Sequence, residues 1–508
     1  MSELIIGSRP LTVEDVVNVA RKGYTVSLAD EAVVRINRSR KLVDEFVDNK
    51  ETIYGITTGF GRFSDVAISK EDTRALQRNL IISHACGVGN PLADEVVIAV
   101  MLLRINNLAL GYSGVRLETV QTLVDMINKG VLPVIPEKGS LGASGDLAPL
   151  SHMVLVMIGE GEACYQGQRM SGRAAMDKAG ISIVELTSKE GLGLINGTQV
   201  MCAVGSLAIY DSMQIMKLAD IACALTAEAL SGITDAYDPR IHAVRPHPGQ
   251  IAAAANLLRI LKGSGNTTKQ GEVRVQDAYA LRCTPQIHGA SKDALQYCVD
   301  KIHIEINSVT DNPIVFPDDR VVFSGGNFHG QPVALAFDFL AIALAEIANV
   351  SERRIERLVN PTLSGLPAFL TEKGGLHSGF MIAQYAAASL VSENKVLAHP
   401  ASVDSIPSSA NQEDHVSMGT IAARKAREIL DNVRNVIAIE LISAAQGVEF
   451  KDPSKLGEGT RIAYEIIRRE VDHWGDDRVM YTDINKSYEL VKSHEIVQAV
   501  EKAIGELL

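Results

Sequence analysis

The sequence predicts a mainly α-helical fold: a core of long helices running up and down, an N-terminal domain organised around a glycine-rich loop, and minor β-hairpins. Three observations carry this. Residues 198–230, 332–360 and 416–448 are long stretches fit for bundle helices, the second of them very apolar. Aromatic residues make up 5% of the chain while alanine is abundant, which favours close-packed helices over a sheet sandwich. Strand signals are confined to short hairpins. With 508 residues and 46% hydrophobic content a large core is possible. Length alone suggests about three domains of roughly 150 residues. No Pro- or Ser-rich linker separates them, so the expected division is an N-terminal domain, 1–200, and a central helical bundle with C-terminal helices, 201–508.

In chain order, residues 12–22 and 27–49 read as helices, with Ser27 and Asp30 as a plausible capping pair for the second. Residues 71–84, 92–110 and 115–129 follow. In the last of these Val120, Leu123, Val124 and Ile127 form a stripe of helical period. Gly130 terminates it and Pro133 keeps it from resuming. The extended 131–136 leads into a glycine-rich loop. Leu150–Ile158 is apolar, and Glu162–Gln168 reads as a small hairpin. The helix 198–230 comes next, then 231–278, rich in Gly, Pro and His, with Asp235–His247 and Lys262–Gln270 as long irregular loops. Residues 291–308 read as helical and Pro313–Phe323 as a hairpin. The helix 332–360 is broken by Pro361. Helices at about 379–397 and 416–448 complete the bundle, and the tail 453–508 is amphipathic.

Net charge is −12 and the basic residues are scattered, which argues against a nucleic-acid surface. The N-terminus lacks a basic-then-apolar signal pattern. Charges such as Asp211, Asp338 and Glu346 interrupt the most apolar helices, so no membrane span is expected. The six cysteines (86, 164, 202, 223, 283 and 298) form no Cys-x-x-Cys pair and read as reduced core residues of a cytoplasmic protein. The twelve histidines show no His-Glu-x-x-His spacing, so no metal is expected.

The run Gly139–Leu150, GSLGASGDLAPL, weakens both helix and strand and reads as a tight bend. Ala-Ser-Gly alone is a common loop tripeptide. It also holds a specific chemistry. Gly145 offers the least hindered amide nitrogen a chain can have, and the Ala143 carbonyl is little shielded. If the bend presses them together, the nitrogen attacks the carbonyl, water leaves, and a five-membered ring closes. Loss of the Ser144 hydroxyl then leaves an exocyclic methylidene, an electrophile that no ordinary side chain supplies.

Five further stretches hold candidate residues. Tyr54 stands at the start of a glycine-rich loop in Ile53–Gly61, IYGITTGFG, where an ordinary turn with a half-buried Tyr is the plain alternative. His84, in Ile82–Gly89, ISHACGVG, sits before a glycine-rich break and reads as a helix-end cap or as a group pointing into a cleft. Asn196, in Glu190–Gln199, EGLGLINGTQ, fits the N-cap of the next helix. In Val275–Gln286, VQDAYALRCTPQ, Tyr279 and Arg282 share a helix face, so a phenol and a guanidinium can meet one ligand. A surface Arg beside a packed Tyr is the alternative. In Pro400–Met418, Asn411 to Asp414 precede the last long helix, where acids suit the positive end of the dipole.

Taken together these runs resemble the aromatic amino acid ammonia-lyases, whose prosthetic group 4-methylidene-imidazol-5-one (MIO) forms from Ala-Ser-Gly. The resemblance covers nearly the whole chain, with the motifs in family order, and makes 1–200 the MIO-loop domain. It implies MIO formation from Ala143, Ser144 and Gly145 with no external cofactor. Tyr54 would be the base that removes the β-proton, although Thr57 stands where the family commonly has Asn. Asn196 would lie beside the ring. Arg282, with Gln276 at the head of its run, would bind the substrate, the guanidinium gripping the carboxylate through two parallel bonds. Tyr279 and Glu413 would assist proton traffic, and Phe328, in Ser324–His329, would wall the pocket. Ser83-His84 matches the histidine-specific members, as does Glu413, where the phenylalanine and tyrosine types carry Gln. The implied reaction is conversion of L-histidine to trans-urocanate and ammonia, with His84 holding the imidazole, by a homotetramer whose sites are shared between chains. Attack of the imidazole ring itself on the methylidene is a second route that these residues leave open. A helical lyase of the fumarase type lacks support, because its Gly-Ser-Ser-x-Met-Pro-x-Lys signature is absent. A non-catalytic helical scaffold is the remaining alternative, separable by mass because ring formation removes two waters.

Overall fold

A computed structural model describes residues 2–49, 51, 53, 55, 56, 58 and 72–508. The fold is mainly α-helical, and among the described residues strands occur only in small two- and three-stranded sheets. The chain forms two compact units. The first holds Met1–Tyr210, Cys298–Asp338 and Pro400–Arg424, and the second Asp211–Tyr297, Phe339–His399 and Lys425–Leu508. This division is discontinuous, unlike a single cut after residue 200. Four of the five changeovers, at 210, 297, 338 and 424, fall inside the helices Gln199–Ala229, Thr284–Glu305, Gln331–Val359 and Gly419–Glu449, and the fifth, at 399, follows the helix Met381–Leu397. A boundary inside a helix carries no linker composition, so sequence reading has nothing to detect.

In the first unit, Thr12 and Asp15 form a reciprocal capping box at the start of the helix Val13–Lys22, satisfying two donors that the first turn would leave free. The Ser27–Asp30 cap does not form. Ser27 lies in the strand Thr25–Leu28, paired in parallel with Glu3–Ile6, and the helix Asp30–Asp48 starts after Ala29 with no side-chain cap. The helices Thr73–His84, Asp94–Ala109 and Leu117–Lys129 match expectation to within a few residues, and Gly130 ends the last in the left-handed region. The expected hairpin is present as Glu162–Tyr165 and Gln168–Ser171, with Leu132–Pro133 added as a third antiparallel strand. Pro136–Lys138 pairs with Val88–Pro91. This pairing fixes the backbone that enters the loop 139–146.

The second unit departs from expectation in 231–278. In place of the expected loop Asp235–His247 it contains the 3₁₀ turn Thr234–Tyr237 and the helix Pro239–Ala243, the helix Pro248–Ile260 follows, and Lys262–Gln270 is irregular as expected. Both prolines sit in the first turn, where a missing N–H costs nothing, so they start helices here. Three long helices meet at Glu440, which is fully buried. Its carboxylate accepts from Thr226 Oγ1 at 2.9 Å, Ser351 Oγ at 2.5 Å, and Arg354 Nε and Nη2 at 2.5 and 2.9 Å. Removing one partner of a buried pair strands the other charge. Arg354→Met is therefore expected to destabilise by about 3–5 kcal/mol, measured as a lower denaturation midpoint. A loss within the range of an exposed pair, below about 1 kcal/mol, would contradict this reading of the core.

Two composition-based expectations are corrected. Over its best 18-residue window, Gln331–Val359 is long and apolar enough to cross a membrane despite Asp338 and Glu346. That window is 67% buried inside the protein, the placement of a core helix. All six cysteines are free, but only Cys202, Cys223 and Cys298 are buried; Cys164 and Cys283 are half-buried and Cys86 is exposed. Cys86 lies outside the core because its helix ends at His84.

Candidate active site

The loop 139–146 runs between the strand Pro136–Lys138 and the helix Leu147–Met157. Gly145 has φ +72°, and a Cβ there would lie 2.1 Å from the Gly197 carbonyl oxygen. Only glycine fits that position. Gly145 and Gly197 run side by side as a parallel bridge. Asp146 N donates to Gly197 O at 2.7 Å, and Gly197 N donates to Ser144 O at 3.3 Å. Two tight turns, one from each motif, are thus held face to face.

Asp146 is the anchor, and motif reading passed over it. Its fully buried carboxylate accepts from Ser140 Oγ at 2.9 Å and from Thr420 Oγ1 through one oxygen. The other accepts from the backbone N–H groups of Val200 and Met201, both at 2.9 Å. These are free donors in the first turn of Gln199–Ala229. Burial raises the Asp146 pKa, and these hydrogen bonds oppose the rise.

Ser144 is half-buried, and its Oγ donates to Glu413 Oε1 at 2.9 Å. Glu413 Oε2 accepts from Ser408 Oγ at 3.0 Å. Glu413 therefore does not act on a helix dipole: the helix begins only at Gly419, and the chain between them turns Glu413 toward Ser144. Asn196 Nδ2 donates to Ser144 O at 2.8 Å. Asn196 ends the short helix Glu190–Ile195 and does not N-cap the long one, so its side chain is free to face the loop. Its Oδ1 is buried with no hydrogen-bond partner among the described residues.

His84 is half-buried at the end of its helix, with Nδ1 3.1 Å from Ser83 Oγ. Burial lowers its pKa, against a smaller opposing pull from the Glu413 charge. The ring is therefore neutral at pH 7 and able to donate and accept one hydrogen bond each. Phe328 is half-buried in the turn after the hairpin Ile314–Phe316 and Val321–Phe323. The adjacent His329 stacks on His415 with ring centroids 5.4 Å apart, a contact no motif signalled.

Ala143, Ser144, Gly145, Asn196, His84, Glu413 and Phe328 all belong to the first unit. Gln276, Tyr279 and Arg282 belong to the second. There Arg282 Cζ lies 4.6 Å from the Tyr279 ring centroid, the shared helix face that the i, i+3 spacing predicts. Gln276 and Tyr279 are exposed, and Arg282 Nε is buried without a hydrogen-bond partner among the described residues. Tyr54 and Thr57 lie outside the described residues. No cluster of three metal-ligating side chains occurs among the described residues.

Residues 11–469 match the family model for aromatic amino acid lyase. Histidine ammonia-lyase of Alkaliphilus oremlandii is 68% identical over 504 residues, covering 99% of both chains. Among solved structures, histidine ammonia-lyase from Trypanosoma cruzi has a TM-score of 0.93 at 44% identity, covering 99% of this chain and 95% of its own. Tyrosine aminomutase from Streptomyces globisporus has a TM-score of 0.95 at 38% identity, covering 98% of this chain and 99% of its own. The motif resemblance and the helical fold agree with these matches, and the chain belongs to the aromatic amino acid lyase family.

Proposed function

We propose that the chain eliminates ammonia from L-histidine to give trans-urocanate, using an electrophile formed from Ala143, Ser144 and Gly145. The observation that carries this is the 2.9 Å contact of Glu413 with Ser144. It sets the residue type typical of histidine-specific members against the residue that becomes the reactive group. The family membership and the 68% identical histidine ammonia-lyase support the same substrate.

The residues present fit MIO. Gly145 is held in a bend that no other residue allows, and the Glu413 carboxylate receives the Ser144 hydroxyl that must depart as water. The buried Asn196 Oδ1, unpartnered among the described residues, marks a polar group beside the loop. When formed, MIO supplies an electrophile that turns the substrate amine into a better leaving group.

The chain's own groups divide the remaining work. Asn196 Nδ2 and Gly197 N both donate to Ser144 O, so they would stabilise negative charge on that oxygen once the group is formed. Once the hydroxyl has gone, Glu413 is free to take or return protons at the substrate. Neutral His84 meets the imidazole, Arg282 and Gln276 the carboxylate end, and Phe328 closes the wall. Tyr54 removes the β-proton, with Tyr279 assisting. A phenol has a reference pKa of about 10, so turnover by this base rises into the alkaline range. The family resemblance makes a homotetramer with shared sites the assembly in which these residues would act. The free cysteines suit a reducing cytoplasm.

An intact-protein mass combined with a urocanate assay tests the reading. The expected result is a chain lighter by two waters that releases urocanate and ammonia from histidine. An unmodified mass together with inert histidine would defeat it. Selectivity is tested separately with His84→Leu. Preference should move from histidine toward tyrosine or phenylalanine by at least about tenfold in the kcat/KM ratio, the scale of one lost buried hydrogen bond to the substrate. Unchanged selectivity would remove His84 from the pocket.

A further inference from the structure

Arg104 lies on the helix Asp94–Ala109 and is fully buried. Its hydrogen bonds among the described residues all end on neutral oxygens. Nη1 donates to Gly193 O at 3.1 Å and to Asn196 O at 3.0 Å, and Nη2 donates to Asn196 O at 3.0 Å and to Gln199 Oε1. Burial pulls its pKa down to about 10, partly offset by the charges of Asp311 and Asp146, so it remains a cation at neutral pH. Asp311 is itself paired with the buried Lys189 at 2.7 Å. A buried guanidinium bonded to neutral groups is costly in stability terms, and a costly buried charge often marks a functional device.

What Arg104 holds is the Asn196–Gly197 peptide. Both Nη groups end on its carbonyl oxygen, while its N–H donates to Ser144 O at 3.3 Å. Drawing density toward one end of an amide makes its N–H a stronger donor, and such chains of hydrogen bonds reinforce one another in a low-dielectric interior. The same grip fixes Asn196, whose Nδ2 donates to the same Ser144 oxygen.

We propose that Arg104 is a positioning residue that holds and polarises the Asn196–Gly197 peptide, so that its field reaches the Ser144 carbonyl through two successive hydrogen bonds. The proposal rests on the reading of Ala143–Gly145 as the precursor of the electrophile. Arg104 touches neither substrate nor reacting atoms. It acts by stabilising charge on the Ser144 oxygen, an effect felt in the transition state more than in substrate binding.

The test uses the full-length protein and two variants. Arg104→Lys keeps a cation but loses the planar fork that meets one carbonyl twice. Gln199→Glu is isosteric and puts a carboxylate directly on Arg104, cancelling its field, and it remains available if Arg104→Lys does not fold. In each folded variant the two-water mass loss should persist and KM for histidine should stay within about twofold. kcat should fall at least about tenfold, less than the loss of a whole oxyanion donor. The near-ultraviolet band of the conjugated ring, taken as the difference from Ser144→Ala, should move to shorter wavelength, because its carbonyl is less polarised. Unchanged kcat and band position in Gln199→Glu would overturn the role, as would a loss of kcat with the band in place and KM rising in parallel. A parent chain without the two-water loss would overturn the reading of the loop as well, and mass alone separates these cases.

Discussion

Ser144→Ala is expected to yield a folded protein that cannot lose the second water from its mass, with turnover reduced by about a thousandfold or more, the scale on which loss of a covalent catalytic group is felt. The reasoning is local. Alanine has no hydroxyl to expel, so no methylidene can form whatever the backbone does. The fold should survive, because the loop is held by backbone and by Asp146. Ser144 Oγ contributes one contact, to Glu413, while the clamp consists of Gly145, Gly197, Asp146 and Ser140. Thermal unfolding and circular dichroism should therefore match the parent. Substantial residual turnover in such a protein would mean that the electrophile lies elsewhere.

Arg282→Ala is expected to weaken use of the substrate through its carboxylate, by about 2–5 kcal/mol in kcat/KM. The guanidinium lies over the Tyr279 ring with Cζ 4.6 Å from the centroid, which restrains the fork without neutralising it. No carboxylate pairs with it among the described residues, and Nε has no hydrogen-bond partner there. A restrained, uncompensated cation is suited to an anionic ligand. The four-residue helix that carries it is tied at the back by Tyr237 OH, which donates to Leu281 O at 3.2 Å, so the truncation should leave the fold intact. Steady-state kinetics with histidine decide the matter. A KM close to that of the parent would remove Arg282 from carboxylate binding.

Much of this was legible in the chain because it depends on local chemistry. Helical periodicity in 115–129 and the stop at Gly130 require only neighbours in sequence. The Tyr279–Arg282 pair was legible for the same reason, since i, i+3 spacing is a helix property. The helices within 231–278 were hidden because proline and glycine were read as breakers. Proline in the first turn does not break a helix, and that position is visible only once the helix is drawn. Asn196 and Glu413 each had a sound local explanation, as a cap and as an acid near a helix start. Both side chains turn instead to Ser144, 52 and 269 residues away.

By itself the sequence determined the helical class, which follows from composition and spacing, and its motifs carried the resemblance to the family and singled out Ala143–Gly145 as the candidate tripeptide. Tertiary structure alone decided that Gly197 presses on Gly145, that Asp146 ties two turns together, and that Arg104 grips the peptide behind Ser144. The physical reason is range. Propensity and periodicity act over a few residues, whereas hydrogen bonds between buried groups join segments that only the folded chain brings within 3 Å or so.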